Sequence, residues 1–181
     1  MSSSDRIIEP NLRTLFGLFP PGDDMPECEY VPGDEVPSPY RELLVHEHHM
    51  TVTVEAHHGD VVNVNVLAYR LDGDTYARKI LLTLQKTGRV VQFGIARVHL
   101  QYTSPAVRAE ILARKTPLGR ILIQHDVLRR IEPTAYLRVL SGPHLKKWFR
   151  IDKPRTTYGR LAFIHCNEQP AIELLEIVAP E

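Results

Sequence analysis

The stretch from Val61 to Leu100 constrains the fold more than any other. Val62, Val64 and Val66 alternate with Val61, Asn63 and Asn65, the period of a strand with one buried face, and the pattern runs to Tyr69. Asp72-Gly73-Asp74 ends it with a turn signal, Tyr76–Leu84 reads as a second strand, Lys86-Thr87-Gly88 as a second turn, and Val90–Leu100 as a third strand. Strands joined by turns this short pair antiparallel, because a parallel return needs a crossover of a dozen residues or more.

The rest of the chain adds helices and three more strands. Ser38-Pro39 is a helix start, with Ser as cap and Pro at the first helical position, and it carries Leu43 and Leu44 towards a core. Ser104-Pro105 opens a helix over Ala106–Ala113, and Thr116-Pro117 opens a second, short one with Thr116 as cap and Pro117 first. Val127–Leu140 is extended with a bend or edge at Pro133, while Gly159–Cys166 and Ala171–Val178 flank Asn167-Glu168-Gln169-Pro170 as a closing hairpin. Residues 1–37, rich in Pro, Ser and acidic side chains, read as an arm with one short helix in Leu12–Phe19, ended by Pro20-Pro21. The expectation is an α+β fold: one six-stranded antiparallel sheet, with helices forming a lid, in a domain spanning 38–181 behind the arm.

Composition narrows the function. With 181 residues, 43% hydrophobic and 24% charged, the chain suits one domain with one core. Basic and acidic side chains number 22 each, so no global field would gather nucleic acid or an anionic membrane, and an anionic ligand has to be held locally. Cys28 and Cys166 belong to no metal or redox spacing, and Met1–Pro10 carries no secretory signal; reduced thiols in a cytoplasmic protein are the expectation. The oligomeric state is not readable.

His46-Glu47-His48-His49-Met50 invites a metal reading. A zinc-protease helix needs His-Glu-x-x-His, so that two histidines four apart share a face; here the second ligand position is Met50. No metal is expected, and His57-His58 before Gly59-Asp60 reads as a polar approach to a loop.

Lys115-Thr116-Pro117-Leu118-Gly119-Arg120 carries a more specific signal. It resembles the corresponding motif of the chorismate pyruvate-lyase family, whose members make 4-hydroxybenzoate. Met50-Thr51 after a Leu43-Leu44 helix, Arg78 before Ile80-Leu81-Leu82, Tyr158-Gly159-Arg160 in place of a Trp-Gly-Arg, and the closing strand Leu175–Pro180 follow in the family's order over residues 40–181. The histidines before Met50, the length of Val127–Arg150 and the long arm look like a divergent branch. Thr51-Val52-Thr53-Val54 has strand-like β-branching, whereas the resemblance implies a helix there.

The resemblance implies a lyase that converts chorismate to 4-hydroxybenzoate and pyruvate without a cofactor, in a pocket between the sheet and the helices near Met50 and Leu118. It implies that Arg78 binds a substrate carboxylate, that Leu118 contributes its backbone, that Met50 lines the wall, and that Glu176 contacts the aromatic product, where it is expected to receive the ring proton or to orient the adjacent hydroxyl. The residues themselves are compatible with this. Arg78 shares strand parity with Tyr76, Ile80 and Leu82, and a guanidinium among apolar neighbours needs an anion. An internal salt bridge, for instance with a glutamate on a neighbouring strand, would serve equally well. Glu176 shares parity with Ile172 and Leu174, and a structural pairing with Arg78 is its alternative role. Arg120 and Arg160 are candidates for a second carboxylate, though surface pairing is the commoner fate. The fold resemblance extends to effector-binding domains of transcription regulators, so a non-catalytic domain holding a small aromatic acid is the rival reading. A lyase of the same fold acting on a related cyclohexadiene acid is another.

Overall fold

The computed structural model describes residues 10–22 and 24–181, so the arm expected over 1–37 is seen from Pro10, with position 23 also outside the described residues. The elements, in chain order, are α1 (Leu12–Gly17), β1 (Glu27–Val31), α2 (Tyr40–Leu44), α3 (Met50–His58), β2 (Val62–Asp72), β3 (Thr75–Leu84), β4 (Val90–His99), α4 (Pro105–Ala113), α5 (Leu118–Gln124), β5 (Arg129–Leu140), α6 (Pro143–Phe149), β6 (Thr156–Cys166) and β7 (Gln169–Val178). All strands join one sheet in the order β1-β5-β6-β7-β4-β3-β2, and every neighbouring pair is antiparallel.

The sheet has seven strands, not the expected six. The additional strand is β1, from the arm, which pairs with Tyr136–Leu140 of β5 at the sheet edge. Its sequence, Glu-Cys-Glu-Tyr-Val, shows no buried alternation because it covers little: Tyr30 is exposed, and Glu29 pairs with Arg138 at 2.5 Å. Main-chain bonding holds it, and main-chain bonding leaves no hydrophobic signature.

Two apolar layers flank the sheet. On one side α1 and α6 set Leu12, Leu15, Phe16, Leu145 and Phe149 against Ala77, Leu81, Phe93, Ile95, Leu175 and Ile177. The α6 helix was not anticipated; Leu145 and Phe149, four apart, form its buried stripe. On the other side α2 to α5 cover Tyr76, Ile80, Leu82, Ala96, Val98, Ile164, Ile172, Leu174 and Val178. The central strands β3, β4 and β7 are therefore buried on both faces and read as nearly unbroken apolar runs.

Residues 50–58 are helical despite their β-branching. Met50, Thr51 and Val54 fall on one buried face, and burial there outweighs a propensity difference of a few tenths of a kcal/mol per residue. Gly59, at φ 62°, caps the helix in the left-handed conformation that a residue with a Cβ adopts at a cost. The expected bend in β5 is a register shift between Pro133 and Ala135. The α5 start differs by one residue from expectation. Pro117, not Thr116, takes the cap position, and no side chain caps the helix.

Candidate functional site

The register of β3, β4, β7 and β6 builds a floor on the face covered by α2 to α5. One row runs Arg78–Ala96–Leu174–Ala162, the next Ile80–Gly94–Glu176–Arg160, and the third Leu82–Gln92–Val178. Small residues occupy the middle of the floor. A Cβ on Gly94 would meet the Ile80 side chain at 3.4 Å and the Leu175 carbonyl at 3.2 Å, so its absence, with Ala96 beside it, leaves a hollow. His49, Met50 and Thr51 at the start of α3, and Pro117, Leu118 and Gly119 at the start of α5, roof it over. Gly119 lets the two helices approach: a Cβ there would lie 3.0 Å from His49 Cβ and 3.1 Å from Thr51 Oγ1.

The resulting cavity offers about 50 Å³ to the centre of a water molecule, where a single water needs roughly 10–15 Å³. Arg78, Glu176, Met50 and Leu118, the four residues singled out in the sequence, all line it. Its walls are otherwise mostly aliphatic, with Val64, Ile80, Leu82, Ile95, Leu174 and Leu175.

Arg78 is 2% exposed. Its Nη2 reaches the Thr116 carbonyl oxygen only at 3.5 Å, and Nη1 has no hydrogen-bond partner. Among the described residues no carboxylate pairs with it, so the internal salt bridge is not formed. Burial pushes its pKa below the ordinary arginine range, with the nearby Tyr76 hydroxyl the group that opposes the shift. An arginine nevertheless stays charged at any ordinary pH, and this one faces the cavity as an unmatched cation.

Glu176, 7% exposed, is paired with Arg160 rather than Arg78. Arg160 stands directly opposite on β6, and its Nε donates to Glu176 Oε2 at 2.7 Å. The sequence treated Arg160 as a candidate for a substrate carboxylate or a surface pair; it is neither, being fully buried and saturated. Its remaining donors reach the carbonyl oxygens of Leu44 and His46 (Nη1, 3.2 and 2.9 Å) and of His48 (Nη2, 3.0 Å). Arg120 is also committed elsewhere, to Glu55 and the Val62 carbonyl oxygen, outside the cavity lining.

These bonds explain the histidine-rich stretch. Its carbonyls wrap the Arg160 guanidinium, and the loop delivers His49 and Met50 to the roof. His46 Nε2 donates to the Leu43 carbonyl at 2.6 Å, and its Nδ1 accepts from the His48 amide at 3.0 Å, so both ring nitrogens are occupied. Burial and the nearby Arg160 push its pKa down to about 4. His49 is likewise pushed to about 4 by burial, then by Arg129 and Arg160. Among the described residues the histidine–carboxylate grouping with ligand-like spacing is His57, His58 and Glu181, outside the cavity lining.

The cavity lining also includes Gln92 and the small-residue floor of Gly94 and Ala96, which no motif in the sequence marks, and His49, which the sequence offers only as part of a histidine cluster. A glutamine inside the apolar run Val90–Leu100 was the one available sign.

No family model and no curated protein matches the sequence. Solved structures do match. The effector domain of PhnF from Mycobacterium smegmatis aligns with a TM-score of 0.55 over 73% of this chain and 88% of that one, at 13% identity. A longer PhnF structure aligns with a TM-score of 0.52 at 14% identity; 75% of this chain is covered, and it spans 65% of that protein's length. The likeness establishes the fold. It is an α+β fold with one antiparallel sheet, shared with the PhnF effector domain. Among the described residues no helix is long and apolar enough to cross a membrane.

Proposed function

We propose that this chain is a binding domain for a small carboxylic acid, held on Arg78 in the roofed cavity without being turned over. The reading rests on one observation: a guanidinium 2% exposed, with a free Nη1, lines an apolar cavity and has no anionic partner. A buried unmatched charge costs several kcal/mol, and a carboxylate in fork contact is the group that relieves it. Leu118 and Met50 would close around the bound acid. The cavity's other charges cancel, since Glu176 is neutralised by Arg160 and His49 is uncharged above about pH 4. One excess positive charge suits a monoanion better than chorismate, which carries two carboxylates. The effector domain of the mycobacterial protein gives this reading a precedent in the same fold, without naming a ligand.

A second reading, conversion of chorismate to 4-hydroxybenzoate and pyruvate, is favoured by Glu176 sharing the cavity with Arg78. In it the ring carbon–oxygen bond of the enolpyruvyl ether breaks, the ring loses the proton whose departure makes it aromatic, Glu176 receives that proton, and the side chain leaves as pyruvate enolate, which takes up a proton to become pyruvate. No cofactor is required by this chemistry.

Calorimetry with benzoate-class acids and incubation with chorismate separate the two. The binding reading expects saturable binding, weakened about 100- to 1000-fold in Arg78→Met, and no pyruvate from chorismate. Equal yields of pyruvate and 4-hydroxybenzoate, lost in Glu176→Gln, would establish the lyase instead. Binding that Arg78→Met leaves intact would sink both.

A further inference from the structure

Among the described residues five buried side-chain nitrogen or oxygen atoms lack a hydrogen-bond partner, and three of them belong to residues lining this one cavity: Arg78 Nη1, Gln92 Oε1 and His49 Nε2. Arg78 is accounted for by a carboxylate. The other two are not.

Gln92 is the more informative. It is 3% exposed, and its cross-strand neighbours Leu82 and Val178 offer nothing polar. A buried amide oxygen left unpaired is destabilising, and a leucine would fit the same apolar row at no such cost. The fold therefore leaves this oxygen without a use. A ligand gives it one. Gln92 also lies at a telling place on the floor. Arg78 pairs with Ala96 and Leu82 with Gln92, four residues apart along β4, or about 13 Å at roughly 3.3 Å per residue. The anion site and the carboxamide thus occupy opposite ends, with Ile80, Gly94 and the apolar walls between them.

We propose that Gln92 is the specificity-determining residue of this site, reading a hydroxyl or amino group at the end of the ligand remote from its carboxylate. The ligand class is then a small acid with an apolar body and a second, uncharged polar end. The carboxamide can donate or accept, and His49 supplies a further unpaired nitrogen from the roof for such a molecule. This inference rests on the carboxylate reading of Arg78.

The test is calorimetric binding of benzoate, 4-methylbenzoate, 3-hydroxybenzoate, 4-hydroxybenzoate and 4-aminobenzoate to the wild type and to Gln92→Leu. At least one hydroxy or amino acid should bind wild type about 10-fold or more tightly than the methyl isostere, because a site built to hydrogen-bond a group rejects the analogue without it. Gln92→Leu should erase or invert that preference while benzoate still binds. It should also melt no lower than wild type, since it removes an unpaired buried amide oxygen. Equal wild-type affinity for the methyl and polar acids, or a preference that survives Gln92→Leu, overturns the inference and leaves the carboxylate reading standing. Failure of every acid to bind wild type overturns both.

Discussion

Arg78 and Arg160 are both buried on the same face of the sheet, yet the surroundings demand opposite responses to the same substitution. Arg160 is saturated by Glu176 and three carbonyl oxygens. Arg160→Met would strand an ionised Glu176 and free those carbonyls, and breaking a buried pair in this way costs about 3–5 kcal/mol. Arg78 has one long contact and no counter-charge. Arg78→Met keeps most of the side-chain volume and removes an unpaired buried cation, so the protein should gain about 1–3 kcal/mol. For a chain of this size about 1 kcal/mol moves Tm by roughly 2–4 °C. Thermal melts in ligand-free buffer should therefore show Arg78→Met several degrees above wild type and Arg160→Met about 6–20 °C below it. Urea midpoints should agree in sign. Added ligand should raise the melting temperature of wild type and leave that of Arg78→Met unchanged. If Arg78→Met were destabilised as much as Arg160→Met, Arg78 would be a structural cation, and the case for a bound carboxylate would collapse.

Two further expectations follow from neighbouring residues. His49 is held neutral in the folded chain, with a pKa of about 4 against about 6.5 when unfolded. A depressed histidine gives stability that is complete above about pH 6.5 and is lost as the pH falls towards 4, by at most roughly 3 kcal/mol for a fully shielded ring; His49→Phe should flatten that part of the denaturation profile between pH 7 and 4. Gly159→Ala would place a Cβ 2.7 Å from the Glu176 carbonyl oxygen and 3.0 Å from Ile177 Cγ1. Backbone cannot yield as a side chain does, so a loss of about 2–3 kcal/mol is expected in urea unfolding; an unchanged midpoint would contradict the close β6–β7 approach.

Much of this architecture is legible locally. Valine alternation against asparagine in β2, the two Gly-containing turns, and the Ser104-Pro105 start all involve residues within a few positions of one another, and each appears where expected. Strand parity likewise placed Arg78 with Tyr76, Ile80 and Leu82, and Glu176 with Ile172 and Leu174, on the face that carries the cavity. A side chain's face on a strand is a period-2 property, and no tertiary knowledge is needed to count to two.

Partnership is a different matter. That Glu176 answers Arg160, leaving Arg78 unmatched, depends on the register of β6 against β7 and of β7 against β4, and on a histidine loop more than a hundred residues away whose carbonyls complete the Arg160 shell. The seventh strand was hidden because main-chain pairing at an edge imposes little on its side chains. Gln92 was hidden because its importance lies in what it fails to touch. Local periodicity determined which way each side chain faces; only closure of the long loops between strands decided which buried charge would be left for a ligand.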